Sequence, residues 1–178
     1  MRRKMIPVMM AIASATIAWP TLAALPVGRI APDFTTTGAL NGKPFNLHLA
    51  DQLRRGPVVL YFYPKAFTSG CTLEAHAFSE ANARFVAAGA RVIGMSADDF
   101  ATLQRFSVEH CRGKFPVATA TAAIMRAYDV KLPVVTMSNR TSFVIARDGR
   151  IVMVHSDSDF KDHVAKTLAA VRALGAKG

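Results

Sequence analysis

The chain has 178 residues, 51% of them hydrophobic, enough to bury one sizeable core but hardly two, so one domain is expected. Lysine and arginine outnumber aspartate and glutamate by 22 to 12, a formal charge of +10. The basic residues are nevertheless scattered, with no basic block and few aromatics among them, which points to a solvated surface and against nucleic-acid binding.

Residues 1–23 read as a targeting segment. Arg2, Arg3 and Lys4 form a basic start, residues 5–19 are apolar, and Thr21, Leu22 and Ala23 supply small residues at a cleavage site. A retained anchor is the weaker alternative, because the apolar run is short of the ~20 residues that span a bilayer and is flanked or broken by Pro7 and Pro20. Cleavage would leave residues 24–178 as one domain with a formal charge of +7, exported to the periplasm and not inserted in a membrane.

The first mature segment predicts an edge hairpin. Residues 33–37 and 44–47 are short extended runs on either side of an Asn41-Gly42 turn. His48, Arg54 and Arg55 fall in a polar connection and receive no catalytic role.

Next comes PVVLYFY at 57–63, with the length and content of a fully buried strand, followed by PKAFTSGC and then a helical pattern from Thr72. Cys71 therefore falls where a strand passes into a helix. The first helical turn has unpaired N–H groups and the positive end of the macrodipole, both of which favour thiolate over thiol. An ordinary thiol, with a pKa of ~8.5, is only a few per cent ionised at neutral pH, whereas one lowered to ~6 is ~90% nucleophile. The alternative is a small core residue. Thr68, Ser69 and Gly70, polar and flexible neighbours, speak for sulfur chemistry. Glu74, one turn on, is read as an orienting hydrogen-bond partner, since a proton-transfer acid there would have to tolerate the thiolate beside it.

The helix is expected to run to about Ala88 with Gly89 as its cap, packing Leu73, Ala77, Ala81 and Phe85 on a sheet. A buried strand follows at 91–96. Asp98 is expected to cap a helix reaching Arg112, with Gly113 beyond it. A strand at 115–119 and a short helix at 121–128 come next. Residues 141–146 and 150–155 flank Arg147-Asp148-Gly149, a hairpin signal, and Phe160, Val164, Leu168, Val171 and Leu174 mark an amphipathic closing helix. Two βαβ units followed by a hairpin and a helix give an α/β class, a thioredoxin-like arrangement with an N-terminal β-hairpin extension. Arg140, at the entrance to the hairpin, reads on its own as a surface charge or as a site residue.

Pro64, Thr68 and Cys71 reproduce a PxxxTxxC pattern, and with YFYPKAFTSGCTLEA, the VGRIAPDF opening and RTSFVI at 140–145 the chain resembles the peroxiredoxins, in particular the PrxQ or bacterioferritin comigratory protein branch. The resemblance spans nearly everything after the leader. It implies a thiol-dependent peroxidase acting on hydrogen peroxide or alkyl hydroperoxides in antioxidant defence, with Cys71 as the peroxidatic cysteine. Thr68 and Arg140 would polarise the peroxide and Pro64 would shield the pocket. It calls for no cofactor or metal, for a thioredoxin-like or other thiol reductant, and for a monomer or weak dimer.

The sequence departs from PrxQ relatives in two places. Many carry a second cysteine five positions after the first, where this chain has His76, and Ser69 stands where many have proline. The remaining candidate for a resolving thiol is Cys111, which shares a helical face with Phe100, Leu103 and Ser107. Three readings stay open for it: a resolving thiol, a buried inert thiol, or half of a static disulfide.

Two other functions compete. An exported thiol-disulfide oxidoreductase needs C-x-x-C, and Thr68 occupies the first of those places. A copper-binding module would draw on Cys71, His76, His110 and Cys111 with nearby methionines, without a recognised metal spacing.

Overall fold

The computed structural model describes residues 24–176; the proposed leader lies outside them. Seven strands form one mixed sheet with helices on both faces. In chain order the elements are β1 Thr35–Leu40, β2 Lys43–His48, α1 Leu49–Arg55, β3 Val58–Phe62, α2 Ser69–Ala87, β4 Arg91–Ser96, α3 Phe100–Glu109, β5 Val117–Thr119, α4 Ala122–Ala127, β6 Thr141–Ile145, β7 Ile151–Ser156 and α5 Lys161–Gly175. The strand order is β2-β1-β5-β4-β3-β6-β7. Strands β3, β4 and β5 are mutually parallel, joined by α2 and α3, while β6 returns antiparallel to β3. The expected thioredoxin-like arrangement is present, and the β1–β2 hairpin extends one edge through β1–β5 pairing.

Strand β3 explains how the sheet acquires two cores. Val59, Tyr61 and Tyr63 face α2, α3 and α5, while Val58, Leu60 and Phe62 face α1 and α4, and none of the six is more than 1% exposed. With side chains alternating across the pleat, a strand covered on both sides must be apolar throughout. Gly94 on β4 allows close packing beside it, since a Cβ there would sit 2.9 Å from the Tyr61 ring and hydroxyl.

Several expectations need correction. Residues 49–55 form a short helix, not a polar connection, because Leu49, Gln52 and Leu53 turn onto the core. On α2 the buried face is Cys71, Glu74, Ala75, Phe78, Ala81 and Phe85, while Leu73 is half-exposed and Ala77 is not fully buried. A spacing of strictly four drifts around a 3.6-residue helix, so the expected stripe starts off the buried face and joins it only at Ala81 and Phe85. The α3 cap is Asp99, whose Oδ1 accepts from Thr102 N at 2.8 Å. Asp98 instead accepts from Ala66 N at 2.7 Å and Ser96 Oγ, tying the segment before α2 to the end of β4.

Helix α3 also stops at Glu109, short of the expected Arg112. Arg112 and Gly113 both take left-handed backbone angles, with φ of 51° and 62°, and their turn sends Gly113 N back to Ser107 O. Cys111 therefore lies in the turn after the helix, where it is fully buried. Strand β5 begins at Val117, after Pro116, which has no N–H for the ladder. Among the described residues no helix is long and apolar enough to cross a membrane.

Candidate active site

The tip of β3 leads through Pro64 into the first turn of α2. Thr68 is the helix N-cap in an extended conformation, and its carbonyl accepts from Thr72 N at 2.9 Å. Its hydroxyl donates to Lys65 O at 2.9 Å, which closes the loop on itself. Phe67, just before the cap, has a φ of +64°, an unusual conformation for a bulky side chain. It is held there by an edge-on contact with Phe106, ring centroids 5.3 Å apart, and by the Arg105 guanidinium over its face at 4.9 Å.

Cys71 is the third residue of α2 and only 2% exposed. Arg140, at the mouth of β6, reaches it from across the sheet, with Nη2 3.5 Å from the sulfur. The same guanidinium donates through Nη1 to Glu74 Oε2 and through Nε to Ser158 O at 3.0 Å. Gly70 leaves room for this approach, since a Cβ at that position would lie 3.3 Å from Nη2. A planar fork reaches the three partners through three different nitrogens, a spread that the single nitrogen of an ammonium lacks. The surface-charge alternative for Arg140 is thereby displaced, as its side chain is 8% exposed.

Glu74 is fully buried. Burial pushes its carboxyl up to about 8 against the opposing pull of Arg140. The expected orienting role fits this placement, although its partner is Arg140 in the core and not the solvated end of the helix. Pro64 and Arg140, together with Leu132, Asn139 and Ser156, line a cavity of about 370 Å³, and Cys71 is not among its walls.

Cys111 does not join this constellation. It sits in the same apolar cluster as Cys71, with Tyr61, Tyr63 and Phe106, and both cysteines are free thiols. Burial pushes the Cys111 thiol well up, so it cannot serve as a nucleophile in place. His76 and His110 meet between α2 and the end of α3, Nε2 to Nδ1 at 3.1 Å. Among the described residues, no group of three His, Cys, Asp or Glu side chains gathers as a metal site.

Sequence reasoning missed the buried polar groups behind the site: His163 and Thr167 of α5, Ser142 of β6, and the unpaired hydroxyls of Tyr61 and Tyr63. A signal was available. His163 and Thr167 lie one position before Val164 and Leu168 on the inward stripe of α5, where a polar residue requires a partner.

A family model described as the AhpC/TSA family matches residues 27–154. The chain is 30% identical over 148 residues to a chloroplastic peroxiredoxin Q of Arabidopsis thaliana, covering 82% of this chain and 67% of that protein. It is 31% identical over 158 residues to a chloroplastic 2-Cys peroxiredoxin of Hordeum vulgare, covering 83% and 74%. Among solved structures, peroxidoxin BcpB from Mycobacterium tuberculosis superposes with a TM-score of 0.76 at 31% identity, over 83% of this chain and 97% of that one.

Proposed function

The chain belongs to the AhpC/TSA family and is a peroxidase of the peroxiredoxin type, and from that premise we propose that it reduces hydrogen peroxide and alkyl hydroperoxides through a sulfenic acid on Cys71. The observation that carries this reading is the Arg140 fork, with one arm 3.5 Å from the Cys71 sulfur and the other on buried Glu74. A fixed cation at that distance complements negative charge on sulfur. It also faces the oxygen on which charge develops as the O–O bond lengthens.

In the proposed step the Cys71 thiolate attacks the terminal oxygen of the hydroperoxide. The S–O bond forms, the O–O bond breaks, and the departing oxygen takes up a proton to leave as water or alcohol. Sulfur is oxidised by two electrons and the peroxide is reduced by two. Thr68 swings its hydroxyl from Lys65 O toward the bound peroxide, and Pro64 limits the entry of water.

Recycling then uses Cys111. Its thiol displaces hydroxide from the sulfenic sulfur, giving a Cys71–Cys111 disulfide and water, and an external thioredoxin-like dithiol reduces that bond. Because Cys111 is buried, the turn at 110–113 and the first turn of α2 must both open first. The basic, apolar and small-residue order of residues 1–23 supports export to the periplasm, where the enzyme would defend against peroxide as a monomer or weak dimer.

The test is peroxide consumption by the Cys71→Ser protein with a dithiol donor, followed by mass spectrometry of the wild type after one equivalent of peroxide. Loss of turnover and a Cys71–Cys111 disulfide are expected. Unchanged turnover would remove the proposal, and a lone oxidised Cys71 would replace Cys111 by an external thiol.

A further inference from the structure

The sheet has a notch at the end away from Cys71. Gly94 N donates to Pro116 O at 3.0 Å, the first rung between β4 and the chain entering β5. One rung earlier, in the same register, Val92 O would accept from residue 116, and a proline has no N–H to give. The two strands therefore separate below Gly94, and a cavity of about 220 Å³ opens where the ladder stops, bordered by Val92, Ile93, Phe115 and Pro116. Asn82 Nδ2 donates to Lys114 O at 3.1 Å and holds the diverging chain in place.

The walls are of two kinds. Leu40 and Phe45 of the β1–β2 hairpin, with Ile93 and Phe115, make an apolar interior. Arg55, Arg91 and Lys114 bring three cations to the same cavity, and no aspartate or glutamate lines it. None of the three forms an ion pair among the described residues. Solvated cations are ordinary on a surface. These converge with a buried polar group: Gln52, three positions before Arg55 on α1, is 7% exposed and lines the cavity, and its amide has no hydrogen-bond partner among the described residues. Burying an amide without a partner is costly, and a ligand that bonds to it removes that cost.

We propose that this notch binds a small aromatic carboxylate, its rings against the apolar walls and its carboxylate held by the cations and the Gln52 amide. The negative charge follows from three unpaired cations with no acid beside them. The carboxylate follows from planar donors, since guanidinium and primary amide present N–H groups that match its two oxygens. An aromatic body suits walls that include two phenylalanine rings. Its size follows from the volume, which is below the ~300–1,000 Å³ of drug-sized pockets and leaves room for one or two rings. The notch lies at the start of β4, whereas Cys71 follows the end of the parallel strand β3. The proposal therefore goes beyond the peroxidase reading and does not depend on the chemistry of Cys71.

The test titrates the full chain with 2-naphthoate at low salt and follows the fluorescence of the probe, with 2-naphthamide as its neutral counterpart and inorganic phosphate as the bare anion. One saturable naphthoate site per chain is expected, with the amide at least ~10-fold weaker, as for a lost charged hydrogen bond, and with no displacement by an equal concentration of phosphate. Gln52→Leu keeps the apolar packing of α1 and should weaken naphthoate by about tenfold. The Arg91→Gln, Lys114→Gln double variant should do the same, while Arg172→Gln, an exposed position on α5, should leave it unchanged. Absence of saturable binding, equal affinity for the amide, displacement by equimolar phosphate, or an unmoved affinity in the double variant each overturns the proposal. The double variant decides if Gln52→Leu does not fold, because Lys114 is exposed and Arg91 only half-buried.

Discussion

Arg140 Nη2 and Cys71 Sγ are 3.5 Å apart although 69 positions separate them in the chain. The contact exists because β6 runs antiparallel beside β3, with Thr141 opposite Phe62, so that the mouth of one strand opens beside the loop that follows the other. One planar group then serves two buried partners, the sulfur and Glu74.

That double duty separates charge from shape. Arg140→Lys keeps the cation but loses the fork, and the rate constant for peroxide should fall by about 100-fold, within the range for a lost charge-stabilising donor. Arg140→Ala also leaves buried Glu74 without a partner and should cost a further ~1–3 kcal/mol of stability. Stopped-flow oxidation and urea unfolding of both variants check the pair of outcomes. Equal rates in wild type and Arg140→Lys would mean that only the charge matters.

Cys111 should be silent in the resting enzyme. It is fully buried, and burial pushes its thiol up, so alkylation in the native reduced protein should run at least ~100-fold slower than in the unfolded chain. Mass spectrometry after timed alkylation gives the ratio. Rapid native labelling would show that the turn at 110–113 opens without any oxidation of Cys71.

His48 makes a surface link that depends on pH. Its Nε2 lies 2.8 Å from Asp33 Oδ2 and its Nδ1 lies 3.0 Å from Asp51 Oδ1, so the protonated ring has a carboxylate acceptor for each of its N–H groups. The hydrogen bond to Asp33 is the main cause that raises its pKa above 6.5. A raised folded value means that the contribution to stability is complete below pH 6.5 and is lost as pH rises through that folded value. His48→Gln should flatten this part of the pH–stability curve, measured by denaturant midpoints between pH 5 and pH 9. The same slope in the variant would assign it to another group.

Gly94→Ala tests the packing of the strand below the site. The added Cβ would meet the Tyr61 ring at 2.9 Å, and that ring is stacked on Phe78 with centroids 4.4 Å apart. A loss of about 1–3 kcal/mol is expected, as for other overpacked cores, measured by urea unfolding. A near-neutral result would show that β4 can shift as a unit.

The parts of the site that are close in the chain were legible from sequence. Pro64, Thr68 and Cys71 share one loop and one helical turn, where the passage from strand to helix singles out Cys71, while the roles of Pro64 and Thr68 come from the resemblance. Arg140 was legible only through resemblance, since nothing in its own neighbourhood distinguishes it from a surface arginine. His163 and Ser142 escaped because their meaning lies in the packing of α5 on β6, which a stripe of apolar residues describes only on average. Helix α1 escaped for a different reason: seven residues with no side-chain cap give too little periodicity to be seen. The end of α3 was misjudged because the inward positions 100, 103, 107 and 111 continue the wheel, while the left-handed turn at Arg112 is unusual for a residue with a side chain.

The seclusion of Cys111 bears on how the enzyme would wear out. On the proposed cycle, the oxidised Cys71 must wait for a partner that is packed against Phe106 and the two tyrosines. A second peroxide arriving during that wait would drive the sulfur to sulfinic acid, beyond the reach of ordinary thiols. The pace at which one small turn loosens would then set the oxidant load the protein can survive, making it a scavenger of trickles that is silenced by a flood.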